Sequence, residues 1–176
     1  MSKRPSLTAR DLRCISFVER FGVARTSALC RLFYGGNLRV AQRRLTAIVA
    51  CKALKRARYD ARAEYIYYAK TPAHLAHNCA LADFLAKLST SVELLEWEPE
   101  FRCGNVRADA RIRYRSDDVY DALVEIQLTG KPDLQKYFRL KRSAEWSKWF
   151  ERFPKLLVVC EKECPTLGLD VVRFQP

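Results

Sequence analysis

The chain has 176 residues, with 32 Lys and Arg against 20 Asp and Glu, a formal net charge of +12. At 49% apolar and 30% charged residues it is too apolar for a disordered chain, and it is long enough to bury a core without disulfide staples. No run of about 18 apolar residues is present, and Met1 to Arg10 hold no apolar signal region. The expectation is a cytoplasmic protein with no membrane partner.

The excess charge is segregated. Residues 1–70 carry 16 Lys and Arg against four acidic residues, whereas residues 71–176 carry 16 of each. A basic module joined to a neutral one suggests two jobs, and a basic module is the electrostatic footprint of a nucleic-acid binder. The seven cysteines, Cys14, Cys30, Cys51, Cys79, Cys103, Cys160 and Cys164, are odd in number and form no C-x-x-C. They read as small buried thiols. Two groupings have metal-like spacing, Cys160 with Cys164 and His74 and His77 with Cys79, but packing or surface roles are the plainer reading of both.

In chain order, Thr8-Ala9-Arg10-Asp11 predicts a helix start with Thr8 as N-cap and Asp11 three residues on. Leu12, Ile15, Phe17, Val18 and Phe21 form its apolar face, and Gly22 ends it. Thr26 is expected to cap a shorter helix with Leu29, Leu32 and Phe33 inward, broken by Gly35-Gly36. Asn37 caps a third helix, from about Leu38 to Cys51, with Val40, Ala41, Leu45, Ile48 and Val49 inward. Arg39, Gln42, Arg43 and part of Thr46 lie on its other face. Two extended runs, 53–59 and 64–69, are joined through Asp60-Ala61-Arg62-Ala63 as a hairpin.

Three helices and a hairpin are the order of a winged helix-turn-helix over residues 1–70. In that arrangement the third helix enters the major groove, where Arg39, Gln42, Arg43 and Arg44 are the candidate contacts. Lys55, Arg56, Arg58 and Arg62 on the hairpin would touch phosphate or the minor groove. Double-stranded DNA is therefore the expected partner.

Residues 71–90 read as a connecting helix. Thr71-Pro72 is a strong start signal, and Leu75, Leu81, Ala82, Phe84, Leu85 and Leu88 make an apolar stripe. The stripe suits either internal packing or a homodimer seam.

Residues 91–176 read as a small α/β domain, so the whole chain is expected to be α+β. The elements are strands at 93–101, 107–115 and 119–129, a helix opened by Pro132, a second helical segment from Trp146 to Phe153, and strands at 155–161 and 169–174. Ala122-Leu123-Val124 and Leu156-Leu157-Val158-Val159 suit buried central strands.

Asp109 falls on one strand of this domain, and Glu125 and Gln127 share a face of the next. The layout resembles the PD-(D/E)xK nucleases, in which two carboxylates hold magnesium and a lysine serves the attacking water. On that layout Asp109 and Glu125 would be the magnesium ligands. Gln127 stands at the lysine position, with Lys131 or Lys136 on the following helix as substitutes. Ala108 replaces the usual proline.

Three segments together resemble the replication-relaxation family of plasmid and integrative-element proteins: Arg107-Ala108-Asp109-Ala110, the run Ala122 to Gly130, and Leu134-Gln135-Lys136-Tyr137. Asp109, Glu125, Lys136 and Tyr137 sit on that family's motif positions, and Gln127 departs from them. The resemblance implies a winged helix followed by a degenerate nuclease-like domain. It also implies an accessory role in plasmid replication or at a transfer origin, beside a relaxase or replication initiator. No cofactor is expected unless the nuclease-like site is active, when magnesium is. Three competing readings are a winged-helix transcriptional regulator with a dimerisation domain, a magnesium-dependent DNA nuclease, and a protein-interaction module of a phage or mobile element.

Overall fold

The computed structural model describes residues 5–163 and 166–176, so Cys164 lies outside the described residues. The chain is α+β and divides into two compact units, Met1–Thr90 and Ser91–Pro176. Among the described residues, no helix is long and apolar enough to cross a membrane.

The first unit runs α1 (Ala9–Phe21), β1 (Ala24–Arg25), α2 (Thr26–Tyr34), α3 (Leu38–Ala50), β2 (Lys55–Ala57), β3 (Ile66–Tyr68) and α4 (Leu75–Leu88). Thr8 caps α1 through a full capping box: the Asp11 amide donates to Thr8 Oγ1, and the Thr8 amide donates to Asp11 Oδ2 at 2.7 Å. Gly22 ends α1 at φ +85°, a conformation L side chains avoid, and a Cβ there would lie 2.8 Å from Asn78 Nδ2. Asn37 caps α3 by accepting from the Val40 amide. Phe17 stacks on Phe21 and meets the Phe33 ring edge-on. Around them Cys14, Val18, Leu29, Leu45, Ile48 and Tyr67 are buried.

Several expected features differ. Leu12, expected inward, is 56% exposed, because the buried face of α1 runs through Asp11, Cys14, Ile15, Phe17, Val18 and Phe21 and leaves Leu12 off it. Thr26 is not an N-cap. Arg25 holds that place with no side-chain bond, while the Thr26 hydroxyl donates to the Tyr65 carbonyl. The start of α2 is instead capped from far along the chain: Glu64 accepts from the Ser27 amide at 2.9 Å and from its hydroxyl at 3.1 Å. The hairpin strands shrink to three residues each. β1, not anticipated, joins them in a sheet of order β1-β3-β2, all antiparallel.

α4 starts three residues after Thr71-Pro72, with His74 before it, and neither Thr71 nor Pro72 is helical. It is not a free connector. It packs against α2 and β1 of its own unit, and Asp83 pairs with Arg25. Leu81, Ala82, Phe84 and Leu85 are buried, so the apolar stripe is not left open as a seam for a second copy.

The second unit runs β4 (Glu93–Pro99), β5 (Arg102–Cys103), β6 (Val106–Arg107), β7 (Ala110–Arg115), β8 (Val119–Gln127), α5 (Gln135–Ser143), a 3-10 turn (Glu145–Lys148), β9 (Lys155–Cys160) and β10 (Val171–Phe174). Its five-stranded sheet has the order β10-β9-β8-β7-β4. β4, β7 and β8 are antiparallel neighbours. β8 and β9 are parallel, with α5 in the crossover, and β10 continues parallel to β9. The core gathers Leu123, Leu156 and Val158 from the sheet with Tyr137 and Leu140 from α5 and Phe150 from the segment after the turn.

The expected strand 107–115 is broken at Ala108-Asp109. The Ala108 amide bonds Phe101 and the Asp109 amide bonds Val124, so the strand passes from a small β5–β6 ribbon into the main sheet. The expected helix from Trp146 to Phe153 is only a 3-10 turn over Glu145–Lys148: Ala144, at φ +57°, separates it from α5, and Trp149, at φ −120°, ends it. The acidic residues of the edge strand β4 are answered across the ladder: Glu93, Glu96 and Glu98 face Arg115, Arg113 and Arg111. Charges on an edge strand also oppose pairing with another chain.

Candidate functional site

The first candidate surface is the outer face of α3. Arg39, Gln42, Arg43 and Thr46 are exposed on it, while Ala41, Leu45 and Ile48 face the core. No acidic residue occurs in this helix. Arg44 is different from its neighbours. Its guanidinium pairs with Asp11, which is fully buried, and donates to the Ser6 carbonyl at 2.8 Å. The Tyr34 hydroxyl also donates to Asp11, at 3.1 Å. Burial acts to raise the Asp11 pKa, but Arg44, Thr8 and Tyr34 outweigh it and hold the carboxyl well below the usual carboxylate range. Arg44 therefore anchors α3 to α1 and is removed from the set of candidate outward contacts.

The hairpin carries the other cations. Lys55, Arg56, Arg58 and Arg62 are all exposed. Arg56 and Arg58 lie over the Tyr65 ring, at 4.5 and 5.1 Å from its centroid, so their stems are held down rather than left free. Asp60 spends its carboxylate on the turn, where Oδ1 accepts from the Arg62 and Ala63 amides at 2.7 and 2.9 Å. Arg58 Nη1 donates to the Ala61 carbonyl at 3.0 Å.

The second candidate surface is the carboxylate cluster of the second unit. Glu125 on β8 accepts from Lys136 Nζ at 2.8 and 3.0 Å and from the Tyr137 hydroxyl at 2.6 Å. Lys136 also donates to the Arg107 carbonyl at 3.3 Å. Asp109 Oδ2 accepts from the Ile126 amide at 2.7 Å, and its charge bears on both Glu125 and Tyr137. Burial raises the Glu125 pKa above its ordinary value, opposed by Lys136 and Tyr137. Burial likewise pushes the Tyr137 phenol up, so it stays a hydrogen-bond donor. Gln127 turns away from this group, donating from Nε2 to the Thr129 carbonyl. Lys131 is exposed and takes no part.

Asp109, Glu125 and Lys136 are thus brought together, and Gln127 is not. As arranged, Glu125 is engaged by its own chain, and a magnesium ion would have to displace Lys136 to reach it. The Lys136 ammonium holds the position beside Glu125 that a cation would need, and Tyr137 takes a further lone pair. Among the described residues, no three His, Cys, Asp or Glu side chains form a group that could hold a metal. His74 is exposed and Cys79 buried. Cys160 is buried, with its thiol donating to the Lys162 carbonyl. Beside the cluster lies an open cleft of about 400 Å³, lined by Asn105, Lys136, Arg139, Ser143 and Glu145.

Sequence reasoning missed Glu64 as the cap of α2 and Tyr65 as the ring beneath Arg56 and Arg58. The interleaving of aromatic residues with arginine over 56–65 was the available signal for Tyr65. No protein-family model, curated protein or solved structure matches the chain.

Proposed function

We propose that the first unit is a winged helix-turn-helix that binds double-stranded DNA, with α3 as the recognition helix and the β2–β3 hairpin as the wing. The observation that carries this reading is the sorting of α3: Arg39, Gln42 and Arg43 are exposed on a helix free of acid, and Arg44 is turned inward to fix its position. The element order and the β1-β3-β2 sheet support it, as does the confinement of the whole net charge to residues 1–70. Arg and Gln suit bidentate contacts to guanine and adenine edges.

The second unit is read as a PD-(D/E)xK-like scaffold that no longer cleaves, its Glu125 carboxylate engaged by Lys136 and Tyr137 and its Asp109 carboxylate by the Ile126 amide. The resemblance to the replication-relaxation family then suggests an accessory protein of a mobile element, acting at an origin beside a relaxase or initiator. A second reading, a magnesium-dependent nuclease, draws on the convergence of Glu125 and Lys136 near Asp109.

The test is a fluorescence-anisotropy salt titration of the full chain with duplex DNA, followed by a gel of the same DNA after incubation with magnesium. Binding that weakens steeply with salt, and that falls in Arg39→Ala/Arg43→Ala, supports the reader. Absence of binding at low salt sinks it. Magnesium-dependent cleavage lost in Glu125→Ala replaces the scaffold reading with the nuclease.

A further inference from the structure

Resting on the DNA-binding reading, we propose that Tyr59 stacks on a base face, so that the preferred target is duplex DNA interrupted by an unpaired base. Tyr59 sits at the hairpin turn and is 95% exposed, while the other exposed large apolar residues range from 37% to 56%. An aromatic ring left in water on both faces is ready to be covered, and no side chain of its own unit covers it.

The turn that presents the ring is also held in place. Asp60 accepts from the Arg62 and Ala63 amides, and Arg58 donates to the Ala61 carbonyl, so the turn is closed by its own bonds on both sides of Tyr59. Ordering cost at binding is therefore reduced. The surroundings select the partner. Arg56, Arg58 and Arg62 are exposed on the same hairpin, two of them over the neighbouring Tyr65 ring, and the hairpin's acids are engaged, Asp60 on the turn and Glu64 on the start of α2. An exposed flat ring on a basic hairpin matches a base beside phosphates, the pairing that single-stranded binders use. Intact duplex hides its base faces in the stack and opens a step only at a cost. A bulge, gap or flap offers one without that cost.

The experiment compares the full chain on an intact duplex and on the same duplex with a single-nucleotide bulge, by anisotropy at fixed salt. Wild type is expected to bind the bulged duplex about ten-fold more tightly. Tyr59→Phe should keep that preference. Tyr59→Ala should abolish it while leaving affinity for the intact duplex within about two-fold and the salt dependence unchanged. Because Tyr59 is exposed, its replacement does not threaten folding, which circular dichroism checks. Equal wild-type affinity for both duplexes overturns the proposal, and so does a preference that survives Tyr59→Ala. Either result leaves the DNA-binding reading standing. A wild type that binds neither duplex at low salt overturns both.

Discussion

A single buried carboxylate, Asp11, does three jobs: it completes the cap of α1, accepts from Tyr34 and neutralises Arg44. Removing one partner of a buried pair leaves the other uncompensated, so Asp11→Asn should cost about 3 kcal/mol in urea unfolding. The sign with pH follows from its depressed pKa. The contribution is present above the unfolded carboxylate value, near 4, and is lost as pH falls below it toward the folded value. Wild type should therefore lose stability on acidification more steeply than Asp11→Asn, as equilibrium unfolding at a series of pH values would record. Glu125 behaves oppositely. Its pKa is raised, and Lys136→Met removes the ammonium that opposes the rise. That variant should lose about 2 kcal/mol at neutral pH. It should regain part of this as pH falls through the folded Glu125 pKa, because a protonated carboxyl needs no counter-ion. The double variant with Glu125→Gln should recover stability at neutral pH, which a double-mutant cycle would measure.

At the scale of the element, α3 separates two kinds of arginine. Arg39→Ala and Arg43→Ala lie on the exposed face and should leave stability within about 0.5 kcal/mol, while each weakens DNA binding by about 1–3 kcal/mol if it reads a base. Arg44→Ala should do the reverse first: thermal unfolding should show a destabilised protein, with binding lost only as the helix shifts. Paired unfolding and anisotropy measurements on the three variants separate the roles. The hairpin has a double duty of the same kind, since Glu64 on it caps α2. Glu64→Ala should cost about 1 kcal/mol in chemical denaturation and should weaken binding little.

At the scale of the whole molecule, net charge is carried by one unit only. If the six exposed cations Arg39, Arg43, Lys55, Arg56, Arg58 and Arg62 all meet phosphate, the logarithm of affinity should fall against the logarithm of salt with a slope of about −5. Charge-neutral changes in the second unit should leave that slope alone. A slope near zero with retained affinity would move the search to an apolar or protein partner. The second unit sets opposite charges across its own sheet: Glu93, Glu96 and Glu98 on β4 stand in register with arginines on β7, Glu93 pairs with Arg115, and Arg111 pairs with Asp121. Residues 71–176 hold equal numbers of acidic and basic residues and so add no net charge.

Much of this was legible along the chain because its causes are local. The capping box at Thr8, the Asn37 cap, the glycine stops and the apolar centres of β8 and β9 depend on neighbours a few residues away or on periodicity, and both are written in order. The division of charge is a count. What only the tertiary structure decided depends on partners brought from a distance. Arg44 looked like its outward neighbours until Asp11, 33 residues earlier, claimed it. Glu64 reaches back 37 residues to Ser27, β1 pairs with β3, and α4 joins the first unit through α2. Lys136 and Tyr137 meet Glu125 only because the parallel crossover lays α5 over β8. A long side chain on a surface helix has no preferred partner in sequence, and the fold chooses one by bringing a buried opposite charge within reach.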